Sequence, residues 1–438
     1  MNSLLIFSEN TSPRLDYVCR LLFTDHLGLA FSITTDKEHF NTATGPKLNY
    51  STSSLPCPLR IEAATLLFET GIKKQDIKIA VYKGFNVPFA REQGNFPFDI
   101  FAAVFYFVSR YEEYLPFEPN QYGQFKAADS LAHQLGILEK PVVEIWIHEL
   151  AKELLRHYPG LQVKQKTFTA IFTYDIDVAY AYKGRSLLQQ MGHIVKDAAT
   201  LQFKKLARRL KVLLQKAADP FDTYDHIEET AGRYKHPVIF FLLVGPRNTY
   251  NRNLAPYSKS MQQLVQKLGG LFPIGIHPSY YTSNNLLQLQ HEKLLLETSA
   301  SKKITQSRQH YLRLEFPETY SNLLKAGITD DYTLGFAELP GFRAGTCNPF
   351  RFYNLLTETG TELMIHPNTY MEGTFAEDLQ LHPAATQERM EILIDEVKKV
   401  NGTFICIWHN HSISDEGNWK GMKAVHDHTA AYAATGRP

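Results

Sequence analysis

Residues 167–177 read TFTAIFTYDID, an apolar run that ends on two carboxylates, Asp175 and Asp177. Four further runs have the same form. PVIFFLLV (237–244) stops at Gly245, LFPIGI (271–276) at His277, ELMI (362–365) at His366 and TFICIW (403–408) at His409. Continuous apolar strands separated by helical segments predict a parallel sheet covered on both faces. In barrels of such strands, side chains at the C-terminal strand ends converge on one site. Acids and imidazoles far apart in sequence are therefore expected to meet at one mouth, within 165–438.

Upstream of that region the pattern is different. LLIF (4–7) is followed by Ser12-Pro13, a cap and first residue that open a helix. Leu15, Cys19, Leu22 and Phe23 then recur at helical spacing. Short β-like runs at 31–34 and 77–82 and an apolar helix capped by Asp99 over 100–111 complete a smaller α/β domain, expected over 1–130. A loop rich in Pro, Asn and Gly (115–124) precedes a helical connector over 131–164, with a helix from Pro141 to about His157. No chemical motif stands out here, which suits an accessory or substrate-selecting domain.

Composition narrows the function classes. A chain of 438 residues is long enough for two or three domains. The formal net charge of +1 offers no field for recruiting nucleic acid. The 23 Tyr and 28 Phe suit a large core first and a sugar-binding cleft second. Cys19, Cys57, Cys347 and Cys406 form no CxxC pair, which fits a reducing compartment. The start MNSLLIFSENTSPR lacks the pattern of a secretory signal, and no apolar run approaches the ~20 residues of a membrane helix. A cytoplasmic protein without a transmembrane segment is expected. The segment 196–216 reads as a basic amphipathic helix with Leu206, Leu210, Leu213 and Leu214 on its apolar side. It either packs on the barrel, as a solvated helix or a lid, or touches an anionic membrane surface.

Several residues could carry chemistry. Strand alternation points Asp175 and Asp177 the same way, so one could hold a cation while the other takes a proton. DxD alone also suits a glycosyltransferase. An EF-hand is excluded by Val178 and Tyr180, which break its ligand pattern. His277 is a candidate metal ligand. Arg343, in GFRAGTCNPF, could clamp a carboxylate with its fork. In WHNHS (408–412), either His409 or His411 could be a proton donor. His366, Arg308 and His310 are second-rank candidates, for catalysis or equally for structural or substrate contacts.

Together these segments resemble the polysaccharide deacetylases, the NodB-homology group, and within them a bacterial subgroup with an extra N-terminal α/β region. The resemblance implies a distorted (β/α) barrel preceded by a smaller α/β domain. TYDID resembles the motif whose first Asp is the base and second a ligand, giving Asp175 and Asp177. GIHPSYY resembles a His-x-x-x-His ligand pair, giving His277, with Tyr281 in the second place. GFRAGTCNPF gives Arg343 as the residue orienting Asp175, and IWHNHS gives His409, then His411, as the acid. A catalytic zinc usually has three protein ligands. The third could be Tyr281, His366, a histidine of WHNHS or water. The implied activity is removal of N-acetyl or O-acetyl groups from an acetylated saccharide, with a divalent metal, zinc first. Two other readings stand beside it: a carbohydrate-binding protein on the same scaffold, prompted by Tyr281, and a DxD glycosyltransferase.

Overall fold

The computed structural model describes residues 3–435. Its first strands, β1 (Ser3–Phe7), β2 (Ala30–Thr34), β3 (Lys47–Tyr50) and β4 (Arg60–Ile61), form a parallel sheet in the order β2-β1-β3-β4. Ser12 caps the helix Pro13–Cys19 by accepting from Leu15 N, with Pro13 in the first turn. The strands β5 (Ile79–Tyr82) and β6 (Phe85–Pro88) make a hairpin. Asp99 caps the helix Ile100–Val108, in which every side chain is buried. The connector helix runs Val142–His157.

The larger sheet has nine strands: β7 (Thr169–Ile176), β8 (Val238–Leu242), β9 (Ile274–Ile276), β10 (Gln306–Ser307), β11 (Asp330–Asp331), β12 (Phe350–Asn354), β13 (Thr359–Ile365), β14 (Tyr370–Met371) and β15 (Thr403–His409). Their order is β12-β13-β11-β10-β9-β8-β7-β15-β14, parallel except for β12 against β13. Helices connect most of the parallel strands, as the apolar runs require. The register sets His409 beside Asp175 across β15 and β7. One hydrophobic cluster runs from the first sheet into the second.

Polar contacts tie the N-terminal part to the rest. Arg14 donates to Glu358 from Nε at 2.9 Å, and Asn348 donates to Glu144 at 3.1 Å. Glu113 is buried between Arg110 and Arg343. The basic segment differs from expectation. Instead of one helix over 196–216 there are two, Leu187–Ala199 and Phe203–Leu213, broken at Leu201, which has a positive φ of 54°. Among the described residues no helix is long and apolar enough to cross a membrane.

Candidate metal centre and active site

Asp175 is the next-to-last residue of β7, and Asp177 lies just beyond the strand. Arg308 follows β10 and is fully buried. Its Nη1 donates to Asp175 Oδ1 at 2.9 Å and to Thr173 Oγ1 at 2.7 Å, and its Nε donates to the Tyr332 carbonyl at 3.0 Å. The guanidinium also sits 4.5 Å from the centre of the Phe241 ring. A planar fork held at that many points fixes one carboxylate oxygen and leaves Asp175 Oδ2 to face the site.

Three imidazoles surround Asp177. His277 Nε2 is 3.2 Å from Oδ1, while His310 Nε2 and His409 Nε2 are each 3.5 Å from Oδ2. The rear nitrogens of the first two are occupied. His277 Nδ1 lies 2.6 Å from the Arg308 carbonyl, which can only accept, so that nitrogen carries the proton. His310 Nδ1 lies 3.1 Å from Asn251 Oδ1, and the Asn251 amide donates to the Pro246 carbonyl at 3.1 Å. Both rings thus turn a lone pair on Nε2 toward Asp177, the arrangement found behind metal-ligating histidines.

The ligand atoms of Asp177, His277 and His310 all lie within 4.8 Å of one another. Ligands around a tetrahedral ion at ~2.0–2.1 Å stand roughly 3.3 Å apart. The two histidines face different oxygens of the carboxylate, His277 at 3.2 Å from Oδ1 and His310 at 3.5 Å from Oδ2, each a separation of that size. Asp177 Oδ1 is buried and receives no aligned hydrogen bond, although His277 Nε2 is near. An oxygen and a nitrogen that are close but not aligned as donor and acceptor suit two ligands of one cation. One carboxylate and two neutral imidazoles are a donor set for zinc or a similar divalent ion. Burial on its own raises the Asp177 carboxyl; in the protonated state of the rings, His310, His277 and His409 outweigh it and hold it well below the usual range.

His409 ends β15. Glu372 Oε1 lies 2.8 Å from its Nδ1 and accepts from its backbone N–H at 2.8 Å. Burial works against the imidazolium. Glu372 overcomes it, with Asp177 and Asp175 behind, and raises His409 to about 10. The ring is thus a proton carrier at neutral pH, with Nε2 turned to the site. His411 lies behind it, ring centres 5.1 Å apart, beside Phe221 and Trp419. Burial and then the charge on His409 push His411 down to about 4.

Other predicted residues lie elsewhere. Arg343 does not reach Asp175. It donates from Nε to Glu113 at 2.8 Å and from Nη1 to the Gly335 carbonyl at 2.9 Å. Its fork is spent on the N-terminal part, and Arg308 takes the position expected of it. Tyr281 is 53% exposed, with its ring against Tyr250 and Tyr280, and it is not among the clustered ligand atoms. His366 bonds Asp330 at 2.8 Å and stacks on Tyr332 at 4.2 Å. His310, a second-rank candidate for catalysis, structure or substrate contact, stands in the group that could hold an ion. Glu372 and Asn251 had no signal in the sequence, since each acts through a histidine distant along the chain.

Beside His310 is a group of tyrosines. The Tyr311 ring is 4.5 Å from the His310 ring, Tyr122 is 5.0 Å from Tyr311, and Tyr250 is 5.8 Å from Tyr311. All three are partly exposed. Tyr122 comes from the N-terminal part. Tyr311 has a positive φ of 63°, and Gln124 donates to its carbonyl. Backbone held in this region is uncommon outside glycine and clusters at functional sites.

Residues 4–159 match a family of unknown function, DUF7033. A search of curated proteins gives no match. Among solved structures, a Mycobacterium smegmatis protein assigned as a polysaccharide deacetylase is similar at 14% identity, covering 62% of this chain and 85% of that one, with a TM-score of 0.41. The PuuE allantoinase is similar at 10% identity, over 73% of this chain and 91% of that one, with a TM-score of 0.36. BA3943 of Bacillus anthracis, a CE4 family pseudoenzyme, is similar at 10% identity, over 62% of this chain and 63% of that one, with a TM-score of 0.29.

Proposed function

We propose that this chain is a metal-dependent hydrolase that removes acetyl groups from an acetylated saccharide, acting first on N-acetyl groups. One observation carries the reading: Asp175, a two-histidine and one-carboxylate group, and His409 with Glu372 behind it all face one small space. Asp177, His277 and His310 would hold the divalent ion, zinc first. When bound, it would supply Lewis acidity for the acyl carbonyl and for water.

The chain's own groups then have separate tasks. Asp175, with Oδ1 held by Arg308, takes a proton from water at Oδ2 as the new carbon–oxygen bond forms. His409, kept charged by Glu372, gives the Nε2 proton to the departing nitrogen as the carbon–nitrogen bond breaks. The products are acetate and a free amine. The tyrosines beside His310 suit the apolar face of a sugar ring. The larger sheet is compatible with a distorted (β/α) barrel whose strand ends form the mouth.

A carbohydrate-binding protein on the same scaffold is the alternative that Tyr281 suggests; His310, offering the third ligand that Tyr281 does not, favours the enzyme. The glycosyltransferase alternative needs a phosphate-cradling loop, and no Gly-rich loop of that kind precedes Asp175. The test is acetate release from N-acetylglucosamine oligomers by the zinc-loaded protein. Release should stop with chelator and return with zinc. An Asp175→Asn protein as active as the wild type would refute the assignment of the base.

A further inference from the structure

The two helices Leu187–Ala199 and Phe203–Leu213 leave their apolar sides uncovered. Leu187 and Leu188 are 83% exposed, Leu201 at the tip is 73% and Phe203 is 61% exposed. At 100° per residue, Leu187, Leu188, Met191 and Val195 share one face of the first helix. Phe203, Leu210 and Leu214 share one face of the second. All seven are exposed. Isolated exposed leucines are ordinary, but a continuous face of this kind marks an interaction surface.

Charge indicates what covers it. Residues 187–216 contain seven Lys and Arg and one acid, Asp197, in a chain whose formal net charge is only +1. Asp197 is itself spent on Arg209, at 2.8 Å, and Lys205, at 3.4 Å. Among the described residues, Lys196, Lys204, Lys211 and Lys216 have no ion-pair partner. On the second helix, Lys204 and Lys211 border the apolar stripe. Uncompensated lysines beside exposed leucine and phenylalanine suit a surface that is anionic at its rim and apolar beneath.

We propose that this hairpin docks the protein on an anionic lipid bilayer, with Leu201 and Phe203 entering the acyl boundary and the lysines at the headgroups. The hairpin starts ten residues after Asp177 and pairs through Arg208 with Glu416, at 3.1 Å, five residues after His411. The lipid-facing hairpin and the candidate site therefore belong to the same end of the larger sheet. The proposal does not depend on which reaction the site performs.

The test is co-sedimentation of the full chain with phosphatidylcholine vesicles and with vesicles that also contain phosphatidylglycerol. Binding is expected only with the anionic lipid, and it should weaken as salt rises. Lys204→Glu/Lys211→Glu should weaken it on the order of tenfold or more, since each lysine near an anionic surface is worth roughly five-fold. Leu201→Ser/Phe203→Ser should weaken it at an unchanged melting temperature, because both side chains are solvent-exposed. Absence of binding to the anionic vesicles, or equal binding to both vesicle types, would overturn the proposal. So would a dimer in ultracentrifugation that Leu201→Ser/Phe203→Ser converts to monomer, because a second copy would then cover the face.

Discussion

Arg308 places Nη1 2.9 Å from Asp175 Oδ1, while Arg343 is bound to Glu113. The two arginines are both buried but should fail differently. Arg308→Lys keeps a charge and loses the fork that also grips Thr173 and Tyr332. It is expected to lower kcat/KM for deacetylation roughly a hundredfold, the lower end of what a positioned general base contributes, with zinc content unchanged. Steady-state kinetics and metal analysis check this. Arg343→Ala leaves buried Glu113 without its main partner and is expected to cost about 3–5 kcal/mol of stability. Its zinc content should be unchanged. Denaturant midpoints read the stability.

The ligand group makes a second contrast. His310→Ala removes one of three ligand side chains, and zinc should be lost on dialysis. Tyr281→Phe should retain zinc like the wild type. Asn251→Ala frees the rear nitrogen of His310 and is expected to weaken zinc binding roughly 10- to 100-fold, as with other partners behind ligating histidines. Competition with a chromogenic chelator measures all three.

The strands that were legible in sequence are the long apolar ones, because burial on both faces leaves an uninterrupted run. β7, β8 and β15 are of this kind, and Asp175, Asp177 and His409 stand at the ends of β7 and β15. β10 and β11 are two residues each, reading Gln306-Ser307 and Asp330-Asp331, and nothing apolar announces them. Asp331 is buried, with the hydroxyls of Ser307 and Thr333 donating to it at 2.7 and 2.8 Å and the Thr333 backbone N–H at 3.0 Å. That is why Arg308 and His310, which follow β10, ranked low, and why the third ligand was sought at Tyr281, His366, a histidine of WHNHS or water. The group that could hold an ion has His310 in that place, just after the next strand of the sheet. Arg343 stood out through the segment GFRAGTCNPF, and its fork serves a contact with the N-terminal part.

Tyr122 brings the N-terminal part to the edge of the site. Tyr122→Ala removes the ring that lies on Tyr311 and should raise KM for an N-acetylglucosamine tetramer roughly three- to ten-fold, the size of one aromatic contact. Tyr122→Phe should restore it. Zinc affinity should not change in either protein. A fall in kcat alone, with KM unchanged, would count against a sugar-stacking role.

His26 makes stability depend on pH far from the candidate site. Its imidazole is buried, with Lys166 Nζ 3.4 Å from Nδ1. Burial, and then the Lys166 charge, push it from 6.5 down to about 3. The folded state therefore leaves His26 neutral over a range in which the unfolded chain takes up a proton. Linkage then gives the sign: stability is full above about pH 6.5 and falls as pH drops toward 3, by up to about 1.4 kcal/mol per pH unit from this one group. His26→Gln removes the titration. The variant should start less stable at pH 7.5, through lost packing, and lose less between pH 6.5 and 4 than the wild type. Urea midpoints at several pH values measure both slopes, and parallel slopes would show that His26 is not the group responsible.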